Sequence, residues 1–198
     1  VKKVFGYELS EKEVNFCKKE LKLDVDSVPI HKKFKENSFD FITMIFVLEH
    51  ISDPVSFLKY LKKFLKPKGK FIILVPNIND ALLNFYNIPV FKNFYYCMEH
   101  LFYYSPQTIK NLFKKTDLNG KLEIVQEYPI ANHINWAFKQ KPSDVQKSRE
   151  NIPDILLSNS KFNQEWENLW KNFSNAYKEF LIKNDFGDRI WCEVSINN

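Results

Sequence analysis

The stretch SFDFITMIFVLEHISDPVSFLKYLKKFLKPKGKFIILVPN, Ser38 to Asn77, decides how the rest of the chain is read. Phe39 to Val47 is a nearly unbroken apolar run, of strand length and rich in residues that favour strands, such as Ile42, Ile45 and Val47. Glu49-His50-Ile51-Ser52-Asp53-Pro54 breaks it. From Pro54, Val55, Leu58, Leu61 and Leu65 recur at helical spacing with lysines on the opposite face. Lys66-Pro67-Lys68-Gly69 is expected to end that helix, and Lys70 to Val75 to form a second buried strand, stopped by Pro76-Asn77. Two buried strands joined by a helix imply a parallel crossover covered on both faces. Ligands of such open sheets bind at the carboxyl ends of the strands. Here those ends are Phe46 to His50 and Val75 to Asn77.

Working outward, the 198 residues and 23.7 kDa are expected to form one domain, 1–198, with length enough for a real core. Nineteen Phe and nine Tyr point to aromatic-walled packing or an apolar pocket. The net charge of +5 is scattered through helices, not gathered in one arm or stripe, so a nucleic-acid groove is unsupported and no nucleic-acid partner is expected. Cys17, Cys97 and Cys192 lie far apart without C-x-x-C spacing, so neither a disulfide framework nor a zinc site is expected, and no metal is assigned. That cysteine usage fits a reducing, cytoplasmic setting. No run approaches the ~18 apolar residues of a membrane span. Oligomeric state does not follow from the sequence.

Towards the amino end, Lys3 to Glu8 reads as a short strand ending on an acid, followed by a helix with Ser10 as its N-cap and Val14, Cys17 and Leu21 at helical spacing. Val25 to Ile30 is a further short strand. The succession of strands and helices is α/β. After Asn77, Asp80 to Asn87 is expected to be helical and 88–104 irregular and aromatic. Ser105-Pro106 opens a helix that Asn119-Gly120 should end, and Lys121 to Tyr128 alternates like a strand. The segments 78–104 and 129–160 are expected to cap the ligand mouth. Gln164 to Lys183 carries a stripe from Trp166 to Leu181 that should be core, and Arg189 to Ile196 is the last strand.

Phe39-Asp40, Val47-Leu48-Glu49-His50-Ile51, Asp53-Pro54, Leu65-Lys66-Pro67-Lys68-Gly69 and Val75-Pro76-Asn77 together resemble the class I S-adenosylmethionine-dependent methyltransferases, in particular their small-molecule group. Glu99-His100-Leu101, Tyr103-Tyr104-Ser105-Pro106 and Leu112-Phe113 extend the resemblance, which covers roughly residues 3 to 128. It implies a Rossmann-like, doubly wound, mostly parallel sheet with one antiparallel strand, the last in the chain. It also implies S-adenosyl-L-methionine as cofactor and a methyltransferase activity. The family's Gly-rich loop has no counterpart among Gly6, Gly69, Gly120 and Gly187. Because Glu8 matches the end of the family's second strand, the resemblance places the first strand and that loop upstream of Val1, so the sheet is expected to be N-terminally incomplete. The acid that contacts the adenine has no clear match; Asp26 or His31 falls near its place.

By the same resemblance Glu8 would hold the cofactor ribose, and Phe46, Val47 and Leu48 would wall its adenine or methionine part. An acid at that place also serves nicotinamide-dependent oxidoreductases, so Glu8 alone does not separate the classes; the 47–54 loop does. His50 and His100 are candidate bases, since methyl transfer to oxygen needs alignment and the removal of one proton. Tyr95, Tyr96, Tyr103, Tyr104 and His133 are candidates for the acceptor pocket. The expected reaction is methyl transfer to an oxygen of a sugar, phosphoryl-sugar or phenol-like intermediate. The alternatives are a methyltransferase-like binding module without catalysis and, third, a nicotinamide-dependent oxidoreductase.

Overall fold

The computed structural model describes residues 3–142 and 163–196. Strands β1 (Gly6–Tyr7) and β2 (Val25–Asp26) pair in parallel, joined by helix α1 (Glu11–Lys19). Ser10 starts that helix by accepting the Glu13 amide, and Glu11 and Glu13 lie in its first turn. A turn of helix, α2 (Ile30–Lys33), leads to the larger sheet. Its strands are β3 (Phe39–Ile45), β4 (Leu65–Pro76), β5 (Leu118–Val125) and β6 (Arg189–Ile196), in the order β3-β4-β6-β5. β3 and β4 run parallel, with Ile42 opposite Phe71. β6 lies antiparallel between β4 and β5, with Cys192 opposite both Ile73 and Leu122. The architecture is the expected α/β mixed sheet with one strand reversed.

β4 is central, and its alternation fixes its faces. Phe71, Ile73 and Val75 are fully buried, whereas Lys70, Ile72 and Leu74 are half-buried. The buried set packs with Leu58 and Leu61 of α3 (Pro54–Lys62) and with Ile109, Leu112 and Phe113 of α6 (Pro106–Lys115). Each such side chain contributes roughly 1.5–3 kcal/mol by leaving water. Asp53 caps α3 and Ser105 caps α6, where Ser105 and Thr108 bond reciprocally.

Several elements differ from expectation for local reasons. α3 ends at Lys62, and Leu65 to Gly69 already belong to β4, because the amides of Asn37 and Ser38 bond the carbonyls of Lys63 and Phe64 and draw the chain into the sheet. Pro67 is tolerated there because the register with β3 shifts between Phe39 and Phe41. Asn119-Gly120 does not end α6; Asp117, at φ 52°, makes the turn and Gly120 lies within β5. A Cβ at Gly120 would stand 2.1 Å from the Glu193 carbonyl oxygen, so strand pairing explains this glycine. The helix expected over 80–87 is the shorter α4 (Ala81–Asn84), and the 88–104 segment, expected to be irregular, contains α5 (Pro89–Tyr95). Ile130–Lys139 forms α7, with Trp136 buried against Phe91, and the remainder of the expected 129–160 cap lies largely outside the described residues. In α8 (Asn163–Lys183), Trp170 and Leu181 are core, but Leu169, Phe173 and Phe180 are exposed, so only part of the expected stripe is buried.

Among the described residues no strand pairs with the outer edge of β3, and none joins it to β1. Val4, Tyr7, Phe41 and Ile45, all large and apolar, are exposed in these strands and their leads. Unprotected edges of that kind are unusual in folded proteins.

Candidate active site

β3 delivers the site. After Ile45 the chain passes through Phe46 in the left-handed region (φ 54°), a conformation costly for a large side chain and concentrated at functional turns. A single 3-10 turn, Leu48–His50, follows. Leu48 is fully buried and anchors it, and Glu49, at 1% exposure, is buried beside it. The Glu49 carbonyl accepts the amides of Leu101 (2.9 Å) and Phe102 (3.1 Å), which lays the segment after α5 across the turn. Tyr104 donates its hydroxyl to the Leu48 carbonyl at 3.4 Å. Tyr103 accepts the Cys97 amide and donates to the Cys97 carbonyl, closing the loop between them. His50 and His100, far apart in sequence, are thereby stacked edge to face with ring centroids 4.8 Å apart. His50 Nδ1 donates to the Glu99 carbonyl at 2.7 Å, which leaves Nε2 as the ring nitrogen free for another partner.

The polar atoms around this pair are poorly satisfied. Neither carboxylate oxygen of Glu49 has a hydrogen-bond partner, and burial raises its pKa. His100 Nδ1 is likewise buried and unpartnered, and desolvation, then the neighbouring His50, lowers its pKa. The Tyr95 hydroxyl is also buried without a partner, and burial foremost, with the charges of Asp80 and Glu49 among the lesser causes, drives its pKa upward. Tyr95, Tyr96 and Tyr103 form an aromatic cluster with centroids 5.0–5.6 Å apart, and His100 adjoins Tyr103 at 5.7 Å. Of the four tyrosines expected in an acceptor pocket, Tyr103 and Tyr104 spend their hydroxyls on holding the backbone; Tyr95 does not.

The remaining expected residues fall on either side. Glu8 follows β1 directly; one carboxylate oxygen accepts the Ser10 amide at 2.8 Å, so it also starts α1. Phe46 lies under the Arg189 guanidinium at 4.9 Å, Val47 is half-buried, and Leu48 belongs to the core. Asp26 ends β2 and is engaged by the amides of Ser27 and Val28 and by Lys33, which hold its carboxyl below the usual range. His31 contacts Tyr60 instead.

His133 sits in a second cluster. Its Nδ1 meets the Tyr177 hydroxyl at 2.5 Å and its Nε2 the Gln126 amide at 3.3 Å. The Gln126 carbonyl oxygen accepts the Asp188 amide, which fixes its side-chain orientation and makes His133 Nε2 the acceptor. Burial pushes the His133 pKa down to about 4. Asp188 accepts the amides of Glu127 and Tyr128, and burial lifts its pKa to about 7; Asp80, which caps α4, is raised to about 7 by burial and then by Asp188. Sequence reasoning did not single out Glu49, Asp80, Asp188 or Arg189. Glu49 alone left a signal, a charged residue wedged between the apolar end of a buried strand and a histidine. Asn77, expected at the ligand mouth, is fully buried and donates to the carbonyls of Asp185 and Gly187, pinning the end of β4 to the turn before β6.

A family model described as a methyltransferase domain matches residues 1–122. No curated protein matches the sequence. Among solved structures, a SAM dependent methyltransferase from Archaeoglobus fulgidus is 17% identical, with a TM-score of 0.54 over 98% of this chain and 75% of that one. Phosphoethanolamine N-methyltransferase 2 of Haemonchus contortus, solved in complex with S-adenosyl-L-methionine, is 19% identical with a TM-score of 0.53, over 98% of this chain and 43% of that one. The YcgJ protein from Bacillus is 16% identical with a TM-score of 0.50, over 98% and 82%. At these identities the likeness is one of fold.

Proposed function

The chain belongs to the methyltransferase-domain family, and from that premise we propose that it transfers the methyl group of S-adenosyl-L-methionine to an oxygen of a small-molecule acceptor: a sugar, a phosphoryl-sugar or a phenol-like intermediate. The observation that carries the reading is the convergence of His50 and His100, 4.8 Å apart, at the carboxyl end of β3. The cofactor supplies an electrophilic methyl group with a good leaving group. What this chain must add is alignment and removal of the acceptor's proton. His50, whose Nδ1 is spent on the Glu99 carbonyl, would receive it at Nε2, and His100, whose pKa desolvation lowers, would pass it on.

Glu8 would hold the ribose, through the carboxylate oxygen not committed to Ser10. Phe46, Val47 and Leu48 would wall the cofactor at the strained end of β3. Tyr95, Tyr96, Tyr103 and Tyr104 would form one side of the acceptor pocket, with His133 at a remove. Among the described residues the free edges of β1 and β3 are unpaired, which supports a sheet that takes one more strand there.

Calorimetry on the complete polypeptide tests the reading. Micromolar binding of S-adenosylhomocysteine without binding of NAD is expected. A folded protein that binds no S-adenosylhomocysteine would overturn it, in favour of a non-catalytic module; binding of NAD instead would favour an oxidoreductase.

A further inference from the structure

Glu49, His50 and His100 each present one donor atom, and these atoms all lie within 4.8 Å of one another. Among the described residues no other group of three or more such side chains has this geometry. Three features separate it from an ordinary surface cluster. Glu49 is 1% exposed and neither of its oxygens has a partner, so a buried carboxylate faces the histidines uncompensated. His50 is oriented by its Nδ1–H on the Glu99 carbonyl, the arrangement by which proteins aim Nε2 at a metal. His100 Nδ1 is buried and unpartnered. We propose that Glu49, His50 and His100 form a binding site for one divalent transition-metal ion such as zinc.

Two imidazoles and a carboxylate are the donor set that suits zinc and its neighbours and not magnesium or calcium, which take all-oxygen shells. Zinc–ligand bonds of about 2.0–2.2 Å place donors roughly 3.5 Å apart, so the site closes by side-chain rotation of about an ångström. A three-ligand site leaves a coordination position for another group. On the methyl-transfer reading, on which this last role rests, the acceptor oxygen occupies it. The ion would then lower that oxygen's pKa so that its proton passes to solvent, with His50 and His100 serving as ligands in place of acting as the base.

The test uses the untagged full chain, freed of metal by a chelator, and titrated with Zn²⁺ by calorimetry and with Co²⁺ by visible absorption. One ion per chain is expected, with a cobalt spectrum typical of nitrogen and oxygen ligation. Glu49→Gln, His50→Asn and His100→Asn should each weaken Zn²⁺ binding by at least the roughly 10–100-fold seen for lesser perturbations of metal sites. His31→Asn, outside the cluster, should leave it unchanged. Absence of Zn²⁺ and Co²⁺ binding by the folded wild-type chain would overturn the proposal, as would equal affinity in the wild type and all three variants. Ion binding without S-adenosylhomocysteine binding would uphold the site while rejecting methyl transfer, and the converse result would reject the site alone.

Discussion

Two histidine clusters in this chain meet buried surroundings in opposite ways. Around His133 the polar groups answer one another: Tyr177 and Gln126 take its two ring nitrogens, and Gln126 and the amides of Glu127 and Tyr128 engage Asp188. Around His100 they do not. Both Glu49 oxygens, His100 Nδ1 and the Tyr95 hydroxyl are buried without partners. Unsatisfied buried polar groups cost stability and are rare in native proteins. On the proposed reading, the first cluster holds the fold and the second is kept for a ligand.

The largest effect that would sharpen this contrast is on turnover. His50→Ala and His100→Ala should each lower kcat by about 10²–10⁴-fold, the range for loss of a positioned acid–base group, with S-adenosylhomocysteine affinity changing little. Steady-state kinetics and calorimetry on the same preparations would decide it; unchanged turnover in both variants would remove them from the chemistry.

His133→Ala should behave in the reverse manner. It opens a cavity and removes one hydrogen-bond partner each from the Tyr177 hydroxyl and the Gln126 amide, at a cost of about 2–4 kcal/mol measured by denaturant unfolding. The KM for the acceptor should not move. A large KM change at preserved stability would make His133 part of the acceptor pocket after all.

The order of these elements was legible in the sequence because the hydrophobic pattern of 39–77 is so strong. Phe39–Ile45 and the buried positions of β4 follow directly from it, as does the reversed β6 once the resemblance is recognised. The meeting of His50 and His100 was only half legible. Each carries a motif, but their contact depends on long-range bonds from Leu101 and Phe102 to the Glu49 carbonyl, which no local pattern encodes. Glu49 was hidden for a related reason. A charged residue after a strand reads as solvent-facing, yet Glu49 is 1% exposed once the chain is folded. The Trp166–Leu181 stripe misled in the other direction, since periodicity cannot tell a core face from an apolar face left exposed, as Leu169 and Phe173 are.

The pH dependence of stability offers a further effect. Asp80 and Asp188 have folded pKa values raised to about 7, so they bind protons in the native state that the unfolded chain has already lost. Their contribution is fully present below about pH 4 and is lost as pH rises through about 7. His133, lowered to about 4, contributes oppositely: its share is present above about pH 6.5 and is lost as pH falls towards 4. Asp80→Asn keeps the cap on the Leu82 amide and removes one charge. At about pH 8 it should be more stable than wild type by about 4 kcal/mol, and only below about pH 4 should the two converge. Thermal melts across that range would check it, and a constant difference at every pH would show that Asp80 is not the titrating group.

The smallest effect bears most directly on the contrast between the clusters. Glu49 has a raised pKa because burial penalises its charge, so above its unfolded pKa an ion-free protein retains a carboxylate at a cost. Glu49→Gln removes that charge without changing shape. In chelator at neutral pH the variant should therefore be more stable than wild type, and the difference should shrink as pH falls and the wild-type carboxyl takes up its proton. Adding Zn²⁺ should reverse the order, because an ion that binds only the native wild-type chain stabilises it by mass action and the variant cannot follow. A scaffold residue would respond differently: as at His133, its loss would destabilise in chelator and zinc alike. A melting curve in each condition thus separates a group held for a ligand from one held for the fold.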